Sequence, residues 1–188
     1  DQELTLDRLV RRNRINVGTS GGEIYGPARV YAQLRNWPEF RRQFGDRVQR
    51  HLFNNGALTP SNNVARLLAQ ASRIRDALVG ESARWGDARE FAIGANPGTG
   101  QTFTRDEWWQ PEIDRLATNF LGKLTADNVA RFRAGNLYPA LDAPVLAAPG
   151  GAVPAGFSLA IANPNASGQI YYTTDDTDPR VEGMVVGF

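Results

Sequence analysis

The sequence lacks cysteine, and it contains a single lysine and a single histidine. Without cysteine the chain can form no disulfide, no thiolate nucleophile and no cysteine–zinc site. Positive charge is carried by 20 arginines and Lys123, and it balances the acidic residues to a net charge of +1. We interpret the arginine excess first as codon bias and second as anion recognition. So small a net charge predicts no overall attraction to nucleic acid or to an anionic membrane.

Long apolar runs and a targeting signal are also missing. No run approaches the roughly 18 residues of a transmembrane helix. The opening residues have neither the basic start nor the apolar middle of a signal peptide, so we expect any export signal to lie upstream of this chain. A length of 188 residues suffices for one ordinary domain and a small module.

Helical periodicity dominates residues 1–140. Pro27 suits the first turn of a helix. Asn36 and Glu39 form a capping-box pattern that predicts the start of a second helix. Its apolar side recurs every four residues, at Phe40, Phe44, Val48 and Leu52. Asn54-Asn55-Gly56 predicts a left-handed end to this helix.

Three further helices are predicted in this region. One begins at Thr59-Pro60 and ends at Gly80, one begins with a capping box at Thr104, and one runs from Thr125 to Gly135. The apolar positions Trp109, Ile113, Leu116 and Phe120 follow Thr104 at helical spacing. The fold class is therefore mainly α.

The pattern changes after Tyr138-Pro139. Residues 141–188 are rich in Pro, Gly, Ala and Thr, and alternating apolar positions around 157–161 and 170–174 predict strands. The stretch is about half of the roughly 100 residues in an immunoglobulin-like sandwich. We expect a helical domain at 1–140, followed by a partial β-sandwich module at 141–188.

The stretch 18–22 formally matches G-x-S-x-G, which presents a serine nucleophile in hydrolases. That chemistry needs a histidine, and His51 lies in a predicted helix near its C-terminus, where a protonated ring favourably meets the helix dipole. No clear helix follows Gly22. We therefore favour a Gly-Ser loop over a hydrolase centred on Ser20.

Nucleotide binding has no complete motif in the chain. A self-contained kinase needs a lysine on a strand to hold phosphates, and Lys123 lies near the end of a predicted helix. No glycine spacing matches a P-loop or a dinucleotide fingerprint. We predict that this chain alone does not bind ATP productively.

Three other patterns have alternative interpretations. Trp108-Trp109 could line a sugar or partner surface, but core packing of Trp109 with Trp108 at a rim is favoured. The Asp-Asp-Thr-Asp stretch 175–178 resembles a calcium loop only superficially, and a turn before Pro179 is favoured. Four arginines of the second helix could bind phosphate, although a solvated helix face is favoured. They are Arg41, Arg42, Arg47 and Arg50.

Several segments together resemble the C-terminal region of bacterial CotH-like proteins, a family named for a spore-coat kinase with an atypical protein-kinase fold. The segments are 31–35, 38–41, 46–48, 51–60, 81–87 and 137–139, and the resemblance covers roughly residues 1–140. It implies that these residues are the helical end of an atypical protein-kinase-like C-lobe.

The opening Asp1-Gln2-Glu3 resembles the trailing part of a Trp-Asp-x-Asp/Glu stretch, which in CotH-like proteins replaces the metal-binding Asp-Phe-Gly of ordinary kinases. By this resemblance Asp1 is a Mg²⁺ ligand and Glu3 its acidic neighbour. The nucleotide-binding lobe would lie upstream, and the parent protein would transfer phosphate from ATP to protein. The chain is then a fragment: a helical scaffold without a complete active site, binding neither ATP nor Mg²⁺ by itself. The alternative is a catalytically silent structural or adhesive surface protein.

A second resemblance covers about residues 144–180. Pro144-Val-Leu, Gly150-Gly, Pro154-Ala-Gly and above all the run 170–180 are similar to the β-module at the C-terminus of chitobiase-type hexosaminidases. In those modules the turn usually contains Asp-Gly, and because Asp176 replaces the glycine here, a different turn type is expected. The resemblance implies a spacer or surface contact, with polysaccharide as a partner, and an extracellular or cell-surface location.

Overall fold

The computed structural model describes residues 26–86 and 102–180, and these residues are mainly α-helical. No helix in these two ranges is long and apolar enough to cross a bilayer. Contacts divide the chain into two compact units, one containing residues 55–126 and the other containing residues 12–54 and 127–188. The expected boundary at residue 140 stays a prediction.

The unit that contains residues 12–54 begins, in its described part, with α1 (Pro27–Leu34) and α2 (Pro38–Leu52). The predicted Asn36 cap is wrong, because Trp37 occupies the N-cap position and Pro38 the first turn. Asn36 Nδ2 instead donates to the carbonyl of Ala32 at 3.3 Å. Because Pro38 has no N–H group, the first turn of α2 has one unpaired donor fewer that a side chain would have to cap.

The end of α2 agrees with the sequence. Asn54 and Asn55 have φ angles of 48° and 62°, which is the left-handed conformation that asparagine tolerates better than most residues. The two asparagines, rather than Gly56, supply the left-handed residues of the predicted stop.

The core of this unit is an aromatic and aliphatic cluster between α2 and α6 (Leu124–Ala134). Its buried members are Val48, Val129 and Tyr138, with Phe44, Phe53 and Phe132 packed around them. Leu137 beside it is completely buried. Two residues of the period-four apolar side of α2, Phe44 and Val48, therefore pack in this core, as its amphipathic pattern predicts.

The C-terminal part of the same unit contains one small antiparallel sheet. Strands β1 (Val145–Leu146) and β2 (Ile161–Ala162) pair, and Ala147 N–H bonds the carbonyl of Ala160 at 3.0 Å. The Asn165 side-chain amide continues this register, because it accepts from Asp142 N–H and donates to Asp142 C=O, both at 2.9 Å. An amide side chain thus replaces a backbone partner at the end of the ladder.

Residues 170–174, where alternation predicts a strand, form no ladder. Tyr171 and Tyr172 are 72% and 70% exposed. A strand needs a hydrogen-bonded neighbour, and within the described ranges no segment pairs with this one. Alternation alone could not reveal that missing neighbour.

The other unit contains α3 (Pro60–Ile74) and α4 (Ala77–Trp85). Thr59-Pro60 begins α3 as predicted. The prediction of one helix ending at Gly80 is wrong, since α3 ends at Ile74 and Gly80 lies inside α4. Arg75 and Asp76 keep right-handed helical dihedral angles, so the break is a local interruption of the hydrogen-bond ladder that no residue type signals.

A second helical stretch follows Thr104, whose Oγ1 accepts from Glu107 N–H at 3.1 Å. It comprises a π-helical turn (Arg105–Trp109), α5 (Gln110–Arg115), a second π-turn (Leu116–Phe120) and a 3₁₀ turn (Leu121–Lys123). Pro111 cannot donate to the carbonyl one α-turn before it, and a wider turn precedes it. Ile113 and Leu116 are buried, as their spacing predicts.

Candidate functional site

The metal ligands implied by resemblance, Asp1 and Glu3, lie outside the described residues, as does Ser20. His51 lies in the last turn of α2, as predicted. Lys123 ends a 3₁₀ turn that runs directly into α6 at Leu124, so it lies at a junction inside a helical stretch and not at the expected helix end. Within residues 26–86 and 102–180, no group of three or more His, Asp or Glu side chains is placed to hold a metal ion.

The polar face of α2 carries a connected set of charges that we call the α2 ion-pair cluster: Glu39, Arg42, Asp46, Asp178 and Arg180. Arg42 binds Glu39 at 2.6 to 2.7 Å and reaches Asp178 at 3.4 Å. Arg180 donates to both carboxylate oxygens of Asp46, at 2.9 and 3.0 Å, and to Asp178 at 2.8 Å. Positive and negative groups alternate through the cluster.

Ion pairing shifts the pKa of Glu39, Arg42, Asp178 and Arg180. Hydrogen bonds from the Arg180 side chain hold the pKa of Asp178 well below its usual range, and the bond to Asp178 followed by that to Asp46 raises the pKa of Arg180. The side chain of Arg42 similarly lowers the pKa of Glu39. Each of these shifts favours the charged form of its group, so ion pairing keeps Glu39, Asp178 and Arg180 ionised at neutral pH.

The turn at 175–178 supplies one side of the cluster. Asp175 Oδ1 accepts from Thr177 N–H at 3.2 Å and from Thr177 Oγ1 at 2.6 Å, and these bonds lower the pKa of Asp175. Asp176 has φ of 60°. The stretch is a turn, as predicted, although no strand flanks it within the described ranges. Asp176 adopts the left-handed conformation that a glycine would take at this point. The carboxylates of Asp175 and Asp178 are already engaged within the chain.

A mostly apolar cavity of about 290 Å³ lies beside the cluster. Its lining includes Gly45 and Gln49 of α2, Tyr138, and Asn163 and Ile170 from the C-terminal part of the unit. Tyr138 Oη donates to Gln49 Oε1 at 2.6 Å. Ion pairs and apolar packing hold the 163–180 segment against α2.

The arginines of α2 and the pair Trp108-Trp109 were the remaining candidates from the sequence. Of the four arginines of α2, Arg47 and Arg50 are exposed, in agreement with a solvated face, whereas Arg41 and Arg42 are half-buried. Trp109 is half-buried while Trp108 is 40% exposed, so Trp109 is the more buried of the two, as predicted, but it does not belong to the buried core. The pairing of Asp46 with Arg180, 134 positions apart, was missed, because no local pattern links two charges so distant in sequence.

A scan against protein-family models finds no match, and searches of curated proteins and of solved structures likewise find none.

Proposed function

We propose that this chain is the helical C-terminal scaffold of a CotH-like atypical protein kinase. The observation that carries the proposal is the position of the segments that resemble the family. Val48, Phe53 and Tyr138, each from a different one of these segments, meet in one core cluster. Phe53 and Tyr138 stack with ring centroids 6.2 Å apart. Residues that resemble the family thus build the scaffold, which supports a structural contribution to a larger enzyme.

In this proposal ATP and Mg²⁺ belong to the parent protein, with the nucleotide-binding lobe upstream of Asp1. Carboxylate oxygens are the ligands that Mg²⁺ prefers, and Asp1 and Glu3 would supply them together with groups of that lobe. Mg²⁺ would neutralise charge on the transferred phosphoryl group. The contribution of the helices is to hold this acidic segment against the lobe.

The test is a calorimetric titration of MgATP into this chain and into the natural protein that contains it. We expect binding by the longer protein only. Asp1→Asn and Glu3→Gln should weaken MgATP binding at least about tenfold, since the first removes a charged ligand of a divalent ion and the second the acidic group beside it. Asp7→Asn makes the same charge change nearby and is the matched control.

Equal weakening by Asp1→Asn and Asp7→Asn would contradict the metal role of Asp1. Productive MgATP binding by residues 1–188 alone would contradict the scaffold proposal itself.

A second candidate is a catalytically silent adhesive surface protein whose β-module contacts polysaccharide. Tyr171 and Tyr172, the two most exposed large apolar residues of the described ranges, favour it, since exposed aromatic rings are typical of recognition surfaces. Under this candidate the chain should sediment with chitin or peptidoglycan, and Tyr171→Ala with Tyr172→Ala should abolish the pull-down while Trp37→Ala does not. Retention of the tyrosine variant would remove this candidate.

Both candidates are proposed for an extracellular or cell-surface location. Protease treatment of intact cells should remove the protein from the surface before the cells lyse. Protection from the protease until lysis would contradict this location.

A further inference from the structure

A cleft in the unit that contains residues 55–126 lies between α4 and the 103–112 stretch. Its volume is about 500 Å³, within the range of roughly 300 to 1,000 Å³ of small-ligand sites. The α2 ion-pair cluster contributes nothing to it. The proposed scaffold role does not use it either.

Aromatic rings are concentrated in this cleft. Three of the four tryptophans, Trp85, Trp108 and Trp109, line it together with Phe103. Trp85 is 48% and Trp108 is 40% exposed, and Phe103 lies 4.6 Å from Trp108 between ring centroids. Large rings left open to solvent in a concave site are characteristic of ligand recognition.

The walls of the cleft are joined by backbone contacts. Phe103 N–H donates to the carbonyl of Gly86 at 3.1 Å. A Cβ atom at Gly86 would lie 2.5 Å from the carbonyl oxygen of Ser82, so the chain approaches here too closely for any side chain. The cap formed by Thr104 and Glu107 fixes the first turn of the other wall.

The charges of the cleft are carboxylates. Glu112 binds the Arg115 side chain through both oxygens, which neutralises it. Glu81 lies exposed on α4 and forms no ion pair with any side chain in the described part of the chain. Glu81 therefore brings one carboxylate, without an ion pair in the described part of the chain, to a lining that also contains exposed indole rings.

One ring of the cleft already contacts a cation that lies outside the cleft. The Arg84 guanidinium lies over the Trp85 ring, 5.0 Å from its centroid, although Arg84 is not among the residues that line the cleft. Indole faces attract cations through their electron-rich π system, and quaternary ammonium ligands are recognised by combinations of such faces.

We propose that this cleft binds an alkylated ammonium group, with Trp85 and Trp108 as aromatic walls and Glu81 as the counter-charge. A bulky ammonium ion matches the site in both respects: its methyl groups contact the rings, and its charge faces the carboxylate. Choline-type headgroups and methylated lysine side chains share this group.

The test uses tryptophan fluorescence of the full chain at constant ionic strength, because most of its tryptophans line the cleft. Choline is compared with 3,3-dimethylbutan-1-ol, which has the same shape and no charge. We expect saturable binding of choline with a Kd on the order of millimolar and at least about tenfold weaker binding of the alcohol, since only choline gains the cation–π and carboxylate attraction.

Variants separate the ring and charge contributions. Trp108→Ala should abolish choline binding, while Trp37→Ala, which removes an exposed indole outside the cleft, should leave it unchanged. Glu81→Gln should weaken choline about three- to tenfold without affecting the alcohol, and Glu107→Gln is its matched control. Glu81 is exposed, so Glu81→Gln keeps the test valid even if Trp108→Ala unfolds.

Binding of a trimethyl-lysine peptide but not of phosphocholine would assign the cleft to a protein ligand, and the reverse to a headgroup; either supports the proposal. Equal binding of choline and the alcohol would overturn it. Saturable binding of cellohexaose without choline binding would also overturn it and assign the cleft to a neutral saccharide.

Discussion

The guanidinium of Arg180 donates hydrogen bonds to both carboxylate oxygens of Asp46, at 2.9 and 3.0 Å. A bidentate pair fixes the orientation of both groups. Asp46 lies in the middle of α2, and Arg180 follows the turn at 175–178, so this contact attaches the end of the described chain to a helix. Arg42 and Asp178 form a second, longer contact beside it.

Breaking this pair should loosen the C-terminal segment. In a double-mutant cycle with Asp46→Asn and Arg180→Met, we expect a coupling free energy of about 0.5 to 1 kcal/mol, the upper part of the range for solvent-accessible pairs. Hydrogen exchange measured by mass spectrometry should rise in residues 163–180, and high salt should reproduce part of the effect. Arg105→Met, which breaks a pair with the adjacent Asp106, is the control. Unchanged hydrogen exchange in residues 163–180 would show that the Asp46–Arg180 pair does not hold this segment to α2.

Acid should weaken the same attachment. The Arg180 side chain lowers the pKa of Asp178, so the folded state binds this proton less readily than the unfolded state. Its contribution to stability is therefore complete above the ordinary Asp pKa of about 3.9 and is lost as the pH falls below it. Urea unfolding of the wild type and Asp178→Asn, compared from pH 7 to about pH 2.5, should show a difference that is constant above pH 5 and shrinks below pH 4. A difference that grows on acidification would contradict this sign.

Two glycines at α4 should respond oppositely to alanine. A Cβ at Gly80 would meet no atom within 4 Å, and alanine should stabilise this helix interior by about 0.5 to 1 kcal/mol. A Cβ at Gly86 would lie 2.5 Å from Ser82 O and 3.0 Å from Phe103 O, so alanine there should cost about 1 to 3 kcal/mol. Thermal unfolding followed by circular dichroism measures both. Equal shifts of Tm would contradict the packing at Gly86.

The left-handed Asp176 gives a further prediction. Asp176→Gly should stabilise the turn by about 0.5 kcal/mol, because glycine adopts positive φ without a Cβ clash. Asp175→Gly, one position earlier, should destabilise it, since it removes the acceptor of two bonds from Thr177. Amide exchange of residues 173–180 reports both changes. Protection that falls in both variants would contradict the role of the φ angle.

Much of the helical structure could be predicted, because it depends on local pattern. The period of α2 follows from Phe40, Phe44, Val48 and Leu52, and its end from two asparagines. Two of the wrong predictions have identifiable causes, whereas the break between α3 and α4 has no residue type that signals it. Asn36 donates to the preceding helix rather than capping the next, and residues 170–174 have no neighbouring strand in the described ranges.

For the candidate sites, too, local features could be predicted from the sequence and long-range contacts could not. The turn at 175–178 was predictable from its own residues, whereas the α2 ion-pair cluster joins charges more than 130 positions apart. To predict the cleft lined by Trp85, Trp108 and Trp109, one would have to know that α4 and the 103–112 stretch lie side by side. The metal role of Asp1 and Glu3 stays a prediction from resemblance.

Phosphoryl transfer by the natural protein that contains this chain is the most direct measurement. Purified protein incubated with γ-labelled ATP and Mg²⁺ should label itself or a general protein acceptor, and Asp1→Asn should reduce the rate at least about a hundredfold, with Asp7→Asn unchanged. Labelling at the same rate in both variants, or its absence from the intact wild type, would contradict a scaffold for an active kinase.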